Sequence, residues 1–117
     1  MSQVIFFSAD LLFGSRLAGI GEQVNREIRT VANLAQLEDA LQESNTASLV
    51  LVDLEAPFAN PIRLVEAVQG ADAKPRLIGY AGHVKAALLQ AAQDAGFDDV
   101  LTKGQFNEQM RDLLSSE

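Results

Sequence analysis

The chain has no cysteine and no tryptophan, and only three prolines and one histidine in 117 residues. The absence of cysteine excludes disulfides, thiol nucleophiles and thiolate metal sites, and it fits a reducing compartment. The lone histidine, His83, has no second imidazole to join it at a metal and reads as a surface residue in a loop. Positive charge is scarce as well: nine Lys and Arg stand against sixteen Asp and Glu, a net charge of −7. Such a field repels polyanions, so nucleic acid is not an expected partner. No apolar run approaches the roughly 18 residues that span a bilayer, so no membrane is expected either. The first residues lack a basic n-region and carry Asp10 inside the apolar stretch, so they are not expected to be a signal peptide. Glycines are present without their catalytic patterns. Gly19-Ile20-Gly21 lacks the third glycine of a dinucleotide site, and neither a P-loop nor a nucleophile elbow occurs. What remains, 48% hydrophobic and 21% charged residues, reads as one folded cytoplasmic domain over 1–117.

Apolar runs alternate with helix-period segments throughout. Val4-Ile5-Phe6-Phe7 and Ala47 to Val52 are continuous apolar runs, as in strands covered on both faces. Glu27 to Val31 alternates and reads as a half-exposed edge strand; Arg76 to Tyr80 and Asp99 to Thr102 complete the set. Between them, Leu11, Leu12, Leu17, Ile20 and Val24 form one helical stripe, and Leu34, Leu37 and Leu41 another behind Asn33 as N-cap. Pro61 opens a third helix, Gly96 ends an alanine-rich fourth, and Phe106, Met110, Leu113 and Leu114 stripe a fifth. Strict alternation predicts an α/β fold: a doubly wound, flavodoxin-like, five-stranded parallel sheet in the order 2-1-3-4-5. The two most apolar strands are then central. Asp10 and Asp53 close them and face the crevice at the carboxyl ends of the strands, with Lys103 on the same edge.

Two carboxylates and a lysine there suit a hard cation or a phosphoryl group. Each also has a plainer reading: Asp10 as a helix cap, Lys103 in a bridge to Asp53, Tyr80 packed at the sheet edge, and Asp98-Asp99 as a solvated turn.

The run Val50-Leu51-Val52-Asp53-Leu54-Glu55-Ala56-Pro57, the spacing of Asp10, Asp53 and Lys103, and Ala95-Gly96 together resemble the receiver domains of two-component response regulators. The resemblance covers essentially the whole chain. It implies Asp53 as phosphoacceptor, Lys103 as phosphate sensor, and a weak Mg²⁺ site from Asp10, Asp53 and a main-chain carbonyl near Glu55, with no cofactor required. It also implies a protein partner, a histidine kinase or a downstream effector, and contact with a copy of itself through helix four, strand five and helix five. Ala86, Ala87, Ala91 and Ala92 would allow close approach there, beside Phe106, Met110 and Leu113, which serve as anchors or, in the plainer reading, as core. The departures are specific. Ala9-Asp10 stands where the family has an acid pair, Tyr80 or Ala81 where it has a switch hydroxyl, and Gly104 where proline follows the lysine. The resemblance therefore implies a degenerate, stand-alone bacterial receiver, not an enzyme, that signals by protein–protein contact with phosphorylation weakened or lost. Two alternatives are a working Mg²⁺-dependent phosphoreceiver, and a small α/β ligand-binding or metal-assisted enzyme using the same crevice.

Overall fold

The computed structural model describes residues 3–43 and 46–115. In chain order these form β1 (Gln3–Phe7), α1 (Leu11–Val24), β2 (Glu27–Val31), α2 (Leu34–Glu43), β3 (Ala47–Asp53), α3 (Pro61–Gln69), β4 (Arg76–Ala81), α4 (Ala86–Ala95), β5 (Asp99–Thr102) and α5 (Lys103–Ser115). All strand pairings are parallel and the order is β2-β1-β3-β4-β5, as the alternation of elements predicts. No helix among the described residues is long and apolar enough to cross a membrane.

Side chains alternate across the sheet and divide the core in two. Ile5, Phe7, Val50, Val52, Leu77 and Ala81 face one side, packed under α2, α3 and α4. Val4, Phe6, Leu49, Leu51, Ile78 and Tyr80 face the other, under α1 and α5. Both faces of β1 and β3 are thereby covered, which explains their unbroken apolar runs. The edge strand β2 is half exposed, as its alternating sequence predicts.

The loops follow local chemistry. Asn33 accepts from the Gln36 amide at 2.9 Å, and Asn60 caps α3 with Pro61 in its first turn. Gly96 takes φ 108° at the end of α4, a conformation that glycine adopts without strain. Gly79 serves packing instead: a Cβ there would lie 2.9 Å from the Phe97 ring. Glycine lets that ring rest on the sheet beyond the end of α4.

Three sequence expectations change. The buried stripe of α1 runs through Leu17 with Phe13, Ile20 and Val24 packed beside it. Leu11 and Leu12 lie outside it, at 87% and 79% exposure, because the first turn points beyond the carboxyl edge of the sheet. Asp98 and Asp99 are not a free turn: Asp98 accepts from the Leu77 amide at 2.7 Å and Asp99 pairs with Arg76. Ala92 is fully buried and cannot meet a partner, and Phe106, Met110 and Leu113 take the plainer of their two readings as core residues.

Candidate functional site

The ends of β1 and β3 place Ser8 and Asp53 side by side. β1 is in register with β3 up to Phe7 opposite Val52, so the next residues, Ser8 and Asp53, oppose each other. Ser8 continues the strand path, its amide donating to the Val31 carbonyl at 3.0 Å, and its side chain is buried. Its hydroxyl donates to Asp53 Oδ2 at 2.9 Å and accepts from the Asp10 amide at 2.8 Å. The other carboxylate oxygen, Asp53 Oδ1, accepts from the Glu55 amide at 3.0 Å. A half-buried carboxylate is thus satisfied on both oxygens by groups of the chain itself.

Asp10 points elsewhere. Its Oδ1 accepts from the amides of Leu12 and Phe13 at 3.0 and 3.1 Å, which makes it the N-cap of α1. Its Oδ2 lies 3.9 Å from Lys103 Nζ, a loose and partly exposed ion pair. The Lys103 ammonium also stands 5.4 Å above the centre of the Phe13 ring. Lys103 is the first residue of α5, where the helix dipole disfavours a cation, and it turns towards these two groups instead. The expected bridge from Lys103 to Asp53 is replaced by one to Asp10. Thr102 and Gln105 fix this start: Thr102 Oγ1 accepts from the Gln105 amide at 3.2 Å, while Gln105 Oε1 accepts from the Thr102 amide at 2.9 Å.

Glu55 also faces away from Asp10 and Asp53. Its Oε2 accepts from the Gly82 amide at 2.9 Å, across the mouth of the crevice. Among the described residues, no three His, Cys, Asp or Glu side chains gather where they could hold a metal ion. The side chains of Asp10, Asp53 and Glu55 are therefore not gathered in one place, because each carboxylate is committed to a different backbone or side-chain donor.

Neither expected switch position offers a solvent-accessible hydroxyl to the crevice. Ala81 is fully buried. Tyr80 is not at the sheet edge but in the core, opposite Asp53 on β4 and 1% exposed. Its ring stacks on Phe106 at 4.1 Å and 5°, lies flat to Phe6 at 6.4 Å, and meets Phe13 edge-on at 5.6 Å. Among the described residues the buried hydroxyl has no partner within hydrogen-bond distance. Burial pushes the phenol well above its usual range, the Asp53 charge adds to this, and the Ser8 hydroxyl opposes it too weakly to reverse the direction. A tyrosine that ionises in the unfolded chain near its ordinary 10.0 but stays protonated when folded costs stability as pH rises above 10. Unfolding free energy is therefore expected to fall more steeply above pH 10 in the wild type than in Tyr80→Phe, by about 1.4 kcal/mol per pH unit. Parallel alkaline profiles in urea would contradict this.

Ser8 is the site residue that sequence reading missed. Its signal was present, since a polar residue directly follows a strand buried on both faces and stands one position before the expected acid pair. His83 is exposed, as expected.

No protein-family model and no curated protein matches the chain. Solved structures do. A response regulator from Hahella chejuensis superposes with a TM-score of 0.82 at 17% identity, covering 98% of this chain and 93% of its own. The beryllofluoride-activated NtrC4 receiver domain dimer gives 0.75 at 17% identity, with 97% of each chain covered. The receiver domain of a sensor histidine kinase from Pseudomonas aeruginosa, with magnesium coordinated in its active-site cleft, gives 0.73 at 11% identity and 98% of each. The chain has the receiver fold of response regulators.

Proposed function

We propose that this chain is a receiver-like signalling module of a bacterial two-component or related pathway, working in the cytoplasm by protein–protein contact rather than as an enzyme. In this reading phosphorylation of Asp53 is weakened or lost. One observation carries it: each Asp53 oxygen already accepts a hydrogen bond, from the Ser8 hydroxyl or the Glu55 amide, in a crevice where Tyr80 and Ala81 supply no solvent-accessible hydroxyl. Each Asp53 oxygen keeps a lone pair for a cation, but Ala9 stands where the family has an acid, so Mg²⁺ affinity is expected to be on the order of millimolar or weaker. Lys103, paired loosely with Asp10, remains the candidate for sensing an anion at this edge. The partner is a histidine kinase or an effector, or a second copy, meeting the face of α4, β5 and α5. The NtrC4 receiver named above is a dimer, which supports self-contact as one form of this.

On that face α4 presents Ala86, Ala87 and Ala91 to solvent, where another backbone can approach closely. With no hydroxyl at position 81 to gate it, the face is expected to bind constitutively. Ala87→Glu or Ala91→Arg is expected to abolish partner binding or self-association in sedimentation velocity while the circular dichroism spectrum stays unchanged. If Asp53→Ala abolishes association and the α4 variants do not, the crevice is the working surface and this reading fails.

A further inference from the structure

The loop from β3 to α3 carries a phenylalanine where its backbone calls for glycine or asparagine. The Ala59 amide donates to the Ala56 carbonyl at 3.2 Å, closing a turn with Pro57 in second place and Phe58 in third. Phe58 has φ 68°, so the turn is of type II, whose third position strains any bulky side chain. The ring returns little packing for that strain. It is 82% exposed, the only exposed aromatic side chain among the described residues. Beside it lies a groove of about 470 Å³ between α3 and α4, with Ala59, Pro61 and Ile62 on one wall and Ala91 and Ala95 on the other. Ile62 is itself 65% exposed. The one charged side chain lining the groove, Asp94, has its Oδ1 held by Gln90 Nε2 at 2.9 Å. A projecting apolar knob therefore stands next to an apolar hole on one surface.

We propose that two copies of the chain pair about a two-fold axis, each seating Phe58 in the α3–α4 groove of the other. A surface that carries both the knob and its hole is self-complementary, so one axis satisfies both contacts and closes the pair. Two rings, the walls they cover and two Ile62 side chains remove roughly 1,000 Å² from water, the lower bound of a specific interface. The pair is therefore transient, with a dissociation constant on the order of tens of micromolar. A net charge of −7 on each copy opposes it, so added salt strengthens the association. This specifies the form of self-contact and rests on the proposed function only in taking α4 as a contact surface.

Sedimentation velocity of the full chain across the micromolar range tests the pairing. The wild type is expected to shift towards dimer with concentration, and further at high salt. Phe58→Asn, which suits the turn and removes the ring, is expected to stay folded and to weaken pairing about thirtyfold or more. Ala91→Arg blocks the groove and is expected to do the same. An equimolar mixture of these two variants is expected to recover part of the association, since one intact Phe58 then meets one open groove. A mixture no better than either variant alone would overturn the proposal, as would pairing that survives Phe58→Asn. A wild type that stays monomeric would also overturn it and leave the groove to a different partner. Concentration-independent nuclear Overhauser contacts between Phe58 and Ala91 would do so too, by showing that the ring fills its own groove. Ala86→Glu, on α4 but outside the groove, is expected to leave self-pairing intact. If Ala86→Glu abolishes association and Phe58→Asn does not, this proposal fails while the face of α4, β5 and α5 stands.

Discussion

Phe106→Ala is expected to lower unfolding free energy by about 3–5 kcal/mol, whereas Tyr80→Phe is expected to raise it by roughly 1 kcal/mol. The two rings stack at 4.1 Å in the centre of the core under α1 and α5, and Phe106 also meets Phe13 edge-on at 5.8 Å. Removing Phe106 leaves a ring-sized void that its neighbours cannot close without breaking the edge-on contact of Phe13 with Tyr80 at 5.6 Å. Removing only the Tyr80 hydroxyl deletes a buried polar atom without a partner and keeps the stack. Urea unfolding at neutral pH measures both. A destabilised Tyr80→Phe would mean that the hydroxyl has a hydrogen-bond partner in solution, and the cage would then be a polar network rather than an apolar one.

Ser8→Asp is the substitution with the largest expected effect at the site. It puts a second carboxylate against Asp53, at a buried position where a hydroxyl now donates at 2.9 Å. A donor is exchanged for a like charge, so the variant is expected to lose roughly 3 kcal/mol in the presence of chelator. Mg²⁺ relieves that repulsion. At a hundred times its dissociation constant it is expected to restore about 2.7 kcal/mol, seen as a Tm that climbs with Mg²⁺ concentration. The wild-type Tm is expected to stay flat over the same range. Ala9→Asp should do much less, since residue 9 is exposed and its neighbour Ser8 already holds the place beside Asp53. A wild-type Tm that rises with Mg²⁺ as steeply as that of Ser8→Asp would contradict the account of this crevice.

The fold was legible because it is written in period and punctuation. Apolar runs at Val4 to Phe7 and Ala47 to Val52 specify central strands, Asn33 and Pro61 mark helix starts, and Gly96 a helix end, all from local chemistry. The site was less legible because side-chain direction depends on register and competing donors. Asp10 ends β1 in sequence, yet two free amides at the start of α1 claim one of its oxygens and Lys103 faces the other. Ser8 faces Asp53 only because the two strands run in register to that point. Tyr80 lies in the core rather than at the sheet edge because three aromatic neighbours from β1, α1 and α5 surround its ring. The capping pair Thr102 and Gln105 was readable in the sequence, and it puts Lys103 on a helix rather than in a loop. Glu55 could not be assigned from sequence, because its partner Gly82 lies on the next strand's loop.

Weakened or lost phosphorylation of Asp53 is the central proposal. Incubation of the chain with acetyl phosphate and Mg²⁺, followed by intact-mass measurement, tests it most directly. The account predicts little or no mass gain in the wild type. A stoichiometric gain of one phosphoryl group, lost in Asp53→Ala, would contradict it.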